Sequence, residues 1–227
     1  MKLVSVQVGM PGSYKHTSFK DGEATMWQSG IFKHPVNGRV FAGFTNLEGD
    51  GQADLKNHGG RDKAIHMYPL EHYAYWRDVA GFVQMRDGIY GENLTTLGLN
   101  EHTTCLGDIY SIGGCVLQVS QPRVPCWKPA RKVGVPGLAA IVLATGRTGW
   151  YMRVLTEGQL GAGDDISLLE RPRPQWTIQA CNEVMHHQRA NVEAASMLAA
   201  VPELAQSWAS TLRQRLSSPI HGGFGDN

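Results

Sequence analysis

Glycine punctuates this chain at short intervals from Gly9 to Gly163 and is then absent until Gly222. Spacing of this kind breaks apolar runs into brief segments, as turns do between many short strands. Within that stretch Val4, Val6 and Val8 alternate with Leu3, Ser5 and Gln7, and Cys115, Leu117 and Val119 alternate with Val116, Gln118 and Ser120. A period of two is the period of a pleated strand. Further strands are expected at Arg39–Phe44, Ala64–Met67, Ile109–Ile112 and Ile166–Glu170, and their irregular spacing points to a closed or strongly bent sheet.

Two interruptions read as helix. Pro69 and Glu71 open a segment in which Tyr73, Trp76 and Ala80 recur at helical spacing, and Gly137 to Thr145 is an apolar stretch that also suits a buried strand. The composition changes at Arg171-Pro172-Arg173-Pro174, where two prolines impose extended backbone. Beyond it Thr177 is placed to cap a helix carrying Ile178, Cys181, Val184 and Met185, and Asn191 to cap a second through Ala200. Pro202 and Glu203 start a third with Leu204, Trp208, Leu212 and Leu216 on one stripe, and the tail from His221 reads as frayed. The expected architecture is therefore α+β, mainly β: a bent, barrel-like domain over residues 1–170 and a small three-helix domain over residues 171–227. So few helical residues are marginal alone, so they should pack on the first domain or on a second subunit.

Composition excludes several functions. Lys and Arg number 21 and Asp and Glu 20, a formal charge of +1, so no net field draws the chain to nucleic acid or to a membrane surface, and any basic site is local. The start lacks the apolar core of a signal peptide, and the longest apolar run is far below the roughly 20 residues that span a bilayer. Cys105, Cys115, Cys126 and Cys181 form no Cys-x-x-Cys pair, which fits a reducing cytoplasm and argues against zinc or an iron–sulfur cluster held by this chain. No Gly-x-Gly-x-x-Gly follows a strand, so a bound dinucleotide is not expected, nor is pyridoxal phosphate.

The segment Ser120-Gln121-Pro122-Arg123-Val124-Pro125-Cys126-Trp127-Lys128-Pro129 leaves a strand and reads as a proline-stiffened loop. Its thiol has two basic neighbours, Arg123 and Lys128, which favour the thiolate that attacks electrophiles and binds metals. Cys115 and Cys181 read as packing residues, and Cys105 is left open. His58-Gly59-Gly60-Arg61-Asp62-Lys63 is either a phosphate cradle or a plain turn. Glu92 and Asn93 either orient a substrate or satisfy backbone groups at a turn. Trp127, beside the thiol, is placed to line a pocket for a flat ligand. Cys126 with His58 is also compatible with a thiol hydrolase pair.

Taken in order, His58-Gly59-Gly60 with Lys63-Ala64, Tyr68-Pro69, Glu71-His72-Tyr73, Gly91-Glu92-Asn93-Leu94, Gly107-Asp108, Ser120-Gln121-Pro122-Arg123 with Pro125-Cys126, and Gly149-Trp150-Tyr151 resemble the MOSC domain, most closely its stand-alone YiiM type. The helical tail is similar to the small C-terminal domain of that type. The resemblance implies a barrel that binds the molybdenum cofactor and reduces N-hydroxylated compounds, such as 6-hydroxylaminopurine and related base analogues, to amines, a detoxifying activity. It implies that Cys126 is the catalytic residue and the thiolate ligand of the metal. Arg123, His58, Gly59, Gly60 and Asn93 are the candidate cofactor contacts, and His58 is the candidate proton donor. Electrons are expected from a separate flavin or iron–sulfur reductase, and a homodimer is the base-rate expectation. The alternative is a carrier of the cofactor or of sulfur that turns nothing over.

Overall fold

The computed structural model describes residues 1–17, 22–78 and 88–217. Twelve strands lie among them: β1 (Lys2–Val8), β2 (Gly12–Thr17), β3 (Ala24–Ser29), β4 (His34–Pro35), β5 (Arg39–Ala42), β6 (Ile65–Pro69), β7 (Leu94–Leu97), β8 (Ile109–Ile112), β9 (Cys115–Pro122), β10 (Trp150–Thr156), β11 (Gly158–Gly161) and β12 (Ile166–Glu170). Eight form one sheet in the order β12-β8-β9-β10-β6-β7-β1-β4, while β2 pairs with β3 and β5 with β11. Neighbours in the large sheet are antiparallel except β6 and β7, the pair joined by a crossover that carries helix α2 (Glu71–Asp78).

The sheet closes on itself. Lys2 bridges Asp165, Leu3 N donates to Asp164 O at 3.0 Å, Gly163 N to Leu3 O at 2.8 Å and Ile166 N to Met1 O at 3.0 Å, which seals β1 to the start of β12. The expected bent, barrel-like sheet is therefore a ring, filled by Ile65, Met67, Leu94, Tyr110, Leu117, Val119, Trp150, Met152 and their neighbours. Strand β9 buries Cys115, Leu117 and Val119 with the predicted alternation. In β1 the register shifts between Leu3 and Ser5 against β7, so Leu3 and Val6 face the core, whereas unbroken alternation would put Val4, Val6 and Val8 there. A bulge carries one extra residue and switches the face that follows it.

The remaining helices are α1 (Leu55–His58), α3 (Trp127–Val133), α4 (Leu138–Thr145), α5 (Ile178–Asn182), α6 (Val192–Ala199) and α7 (Gln206–Ser217). Stretch 137–145, left open between helix and strand, is helical. Both tail caps form: Thr177 accepts from Ala180 N and Asn191 from Ala194 N. A π turn, Glu183–His187, continues α5, and the third helix begins at Gln206 because residues 201–204 form a turn, Leu204 N donating to Val201 O at 3.2 Å. Trp176, Leu198, Leu204, Trp208 and Leu212 pack around Leu106 of the barrel region, and Ala205 N donates to Ser120 O at 2.9 Å. The tail is thus seated on the barrel. Ala80 and the segment from His221 lie outside the described residues.

Candidate functional site

Strand β9 ends at Pro122, and Arg123 N still pairs with Gly149 O at 3.1 Å before the chain leaves the sheet. Three residues later α3 starts with Cys126 as its cap residue, so the second half of the expected loop is helical. Pro129 fits there because a first-turn residue needs no amide donor. Cys126 is half-buried and lines two adjoining spaces: a pocket of about 550 Å³ into the barrel end and a groove of about 1930 Å³ toward the tail. Arg123, His58 and Asn93 line the pocket with it.

Arg123 is 6 % exposed, stacks on Tyr90 with Cζ 4.3 Å from the ring centre and donates to Tyr90 O at 3.1 Å. No carboxylate pairs with it among the described residues. Burial opposes its charge, but the surrounding Tyr90, Tyr151 and Cys126 side chains leave its pKa above the ordinary value. A buried guanidinium without a counter-ion is a standing demand for an electron-rich ligand.

His58 ends α1, the short helix that Asp54 caps by accepting from Asn57 N at 3.0 Å. Burial first, then the charges of Arg123 and Lys128, hold His58 down to about 4. That keeps it a neutral imidazole at pH 7, with one ring N–H and without the acidic second proton expected of a proton donor. Gly59 and Gly60 shape the loop without lining the pocket, Gly60 adopting φ +92°. They lead into a 3-10 turn, Arg61–Lys63, whose Asp62 accepts from Arg153 Nη2 at 2.6 Å and from Gln206 N at 3.2 Å. That carboxylate ties the glycine loop to the barrel and to α7 at once, and Lys63 beside it lines the pocket.

Asn93 is 4 % exposed and its amide is fully used by the protein: Oδ1 accepts from His66 N at 3.0 Å, and Nδ2 donates to Asp50 Oδ2 at 2.9 Å and Gln7 O at 3.3 Å. Glu92 is wholly buried and accepts from Tyr73 Oη, Gly88 N and Thr95 Oγ1. Both residues therefore tie their segment to the rest of the fold, Asn93 to β1, β6 and Asp50 and Glu92 to α2. Burial pushes the Cys115 thiol up to about 11 and raises Cys181 and Cys105, so the three other thiols are buried packing groups, Cys105 among them.

Some of the wall was not anticipated. Lys33 and Asp50, 7 % and 1 % exposed at the side chain, form a buried ion pair on the pocket, burial lowering the lysine pKa against the pull of Asp50. His66 Nε2 is buried with no partner, and its pKa lies well below the ordinary value through burial and then Arg123. None of the three sits in a local pattern that marks it; only the closed barrel brings Lys33, Asp50, His66 and Arg123 together. Tyr151 belongs to the segment Gly149–Tyr151, where Gly149 turns at φ +65° and an added Cβ would stand 2.5 Å from Met67 O.

Comparison with known proteins places this arrangement. Residues 54–167 match the MOSC domain and residues 176–218 the YiiM-like 3-alpha helix domain. Protein YiiM of Escherichia coli (strain K12) is 35 % identical over 85 % of this chain and 87 % of its own length. A protein named Reductase from Gibberella moniliformis is 40 % identical over 81 % of this chain, which spans 32 % of that longer protein. The crystal structure of YiiM from Geobacillus stearothermophilus superposes with a TM-score of 0.80 at 38 % identity, covering 95 % of this chain and 99 % of that one. MOSC domains are associated with molybdenum cofactor binding. With the barrel, the Cys126 segment and the helical tail all matched, the chain belongs to the MOSC domain family and, within it, to the YiiM-like proteins.

Proposed function

We propose that the protein is a molybdenum-cofactor-dependent reductase that converts N-hydroxylated compounds, base analogues among them, to amines. The observation that carries this reading is the placement of a half-buried thiol, Cys126, beside the buried and carboxylate-free Arg123 at one pocket. These residues fit the group. Among the described residues no three His, Cys, Asp or Glu side chains gather as a metal site, so a metal held here brings its own ligands and takes one thiolate from the chain. The unpaired guanidinium, with Lys63 and Lys128 on the same wall, suits an anionic organic cofactor.

When bound, the cofactor supplies the two-electron exchange by which R–NHOH, two electrons and two protons become R–NH2 and water. The chain's own work is to hold and orient. Cys126 ligates the metal, Arg123 meets the electron-rich side of the cofactor, and the buried Lys33–Asp50 pair and Tyr151 shape the pocket. His58, uncharged, offers a hydrogen bond and no acidic proton. The electrons come from a separate flavin or iron–sulfur reductase.

The test is metal and pterin content of wild type and Cys126→Ser expressed in a host that makes the cofactor, with reduction of 6-hydroxylaminopurine assayed alongside using a chemical reductant. Near-stoichiometric molybdenum and turnover in wild type, both lost in Cys126→Ser, are expected. Full activity in the mutant would overturn the assignment. Bound metal and pterin without turnover would leave a cofactor carrier.

A further inference from the structure

Cys126 stands where two spaces meet, and the cofactor reading accounts for one. The groove continues past it between the barrel and the tail, and its far wall comes from the π turn, the turn that follows it and α7: His186, His187, Arg189 and Arg215. Among the described residues lining it, Lys63, Lys128, Arg189 and Arg215 face one carboxylate, Asp54, in a chain whose whole formal charge is +1. Neither arginine has an acidic partner among the described residues. Arg215 donates to Val184 O at 2.9 Å and Met185 O at 2.7 Å, and Arg189 is exposed.

The excess is felt locally. Burial and then Arg189 lower the Arg215 pKa, and His186 is held down to about 4 by burial, His187, Arg215 and Arg189. Uncompensated positive charge on a concave wall concentrates anions, and guanidinium groups match phosphate oxygens. Nearer Cys126 the wall is aromatic. Trp127, 47 % exposed, and Trp27 have ring centres 5.1 Å apart, a surface suited to a flat base. The groove runs from this aromatic wall to the arginines. A free base beside Cys126 would leave the arginine end empty.

We propose that the groove takes its substrate as a nucleotide, with a phosphomonoester held by Arg189 and Arg215, the base against Trp27 and Trp127, and the N-hydroxyl group toward Cys126. The fate of that N-hydroxyl group rests on the reductase reading; the phosphate site does not. The cofactor carries a phosphomonoester of its own, so the test separates the two sources.

Adenosine 5′-monophosphate and adenosine are titrated by calorimetry at low salt into cofactor-free and cofactor-loaded protein, wild type and Arg189→Gln. The phosphate should tighten binding about tenfold or more in both wild-type forms. Arg189→Gln, which loses no hydrogen bond or ion pair within the described structure, should bring the monophosphate to the level of adenosine and leave adenosine unchanged. Equal affinities in wild type, no measurable binding of the monophosphate, or an advantage that survives Arg189→Gln would overturn the site. An advantage seen only without cofactor would give the arginines to the cofactor's own phosphate and overturn the substrate assignment. Tight binding in the loaded protein without reduction of the N6-hydroxy monophosphate when a chemical reductant supplies the two electrons would keep the phosphate site and remove the reductase reading.

Discussion

At the scale of single residues, the site is a division between side chains that are spent on the fold and side chains left facing the pocket. Asn93 belongs to the first kind: its amide joins the backbone of β6 and of β1 to Asp50, which in turn holds Lys33. Removing it leaves buried groups without partners, so Asn93→Ala should cost about 2–4 kcal/mol in urea denaturation. Metal content per folded molecule should be unchanged. Unaltered stability with lost metal would instead make Asn93 a cofactor contact. Of the candidate site residues, Cys126, Arg123 and His58, which the fold brings to one pocket, stood out in the sequence because they carry unusual chemistry in short segments, whereas Gly59 and Gly60 do not line that pocket. Lys33, Asp50 and the Arg189–Arg215 pair did not stand out, because each becomes distinctive only through neighbours far away in sequence.

Elements follow local rules where a capping side chain or an unbroken period announces them. Thr177 and Asn191 each satisfy a helix-end amide, and replacing either with alanine should lower stability by about 1 kcal/mol in the same denaturation measurement. No loss from either change would mean that packing on the barrel alone sets those helix starts. Strand β9 was legible because its alternation is intact, whereas the inward face of β1 was not, because a bulge moves it. Helix α3 was hidden by its prolines: Pro122 ends a strand, Pro125 lies between elements and Pro129 sits in a first turn, so three residues of one type play three roles. The hairpin β2–β3 buries little beyond Trp27 and Ser29 and carries no strong apolar period to find.

Across the whole molecule, burial of neutral histidines sets how the protein meets acid. His58 and His186 have pKa values of about 4 and His66 lies well below the ordinary value, against about 6.5 in an unfolded chain. Between those limits the unfolded state binds more protons, so stability rises with pH through the window and falls as pH drops from about 6.5 toward 4. The melting temperature should decline over that range, and His186→Gln should flatten part of the slope; a constant melting temperature from pH 7 to 5 would contradict this account. The three-helix tail and the bent sheet were legible in composition, but the closure of the ring was not, since nothing in residues 1–3 announces pairing with residues 163–166. That seam also orders events in time. A ring joined by the earliest and the latest of its strands stays open until nearly all of it has been synthesised, so its assembly waits on a long-range encounter of the kind that makes β topologies slow to fold, on the order of milliseconds to seconds. Until then the wall that carries Cys126 has no complete barrel behind it, and the pocket beside that thiol is among the last parts of the barrel to be enclosed.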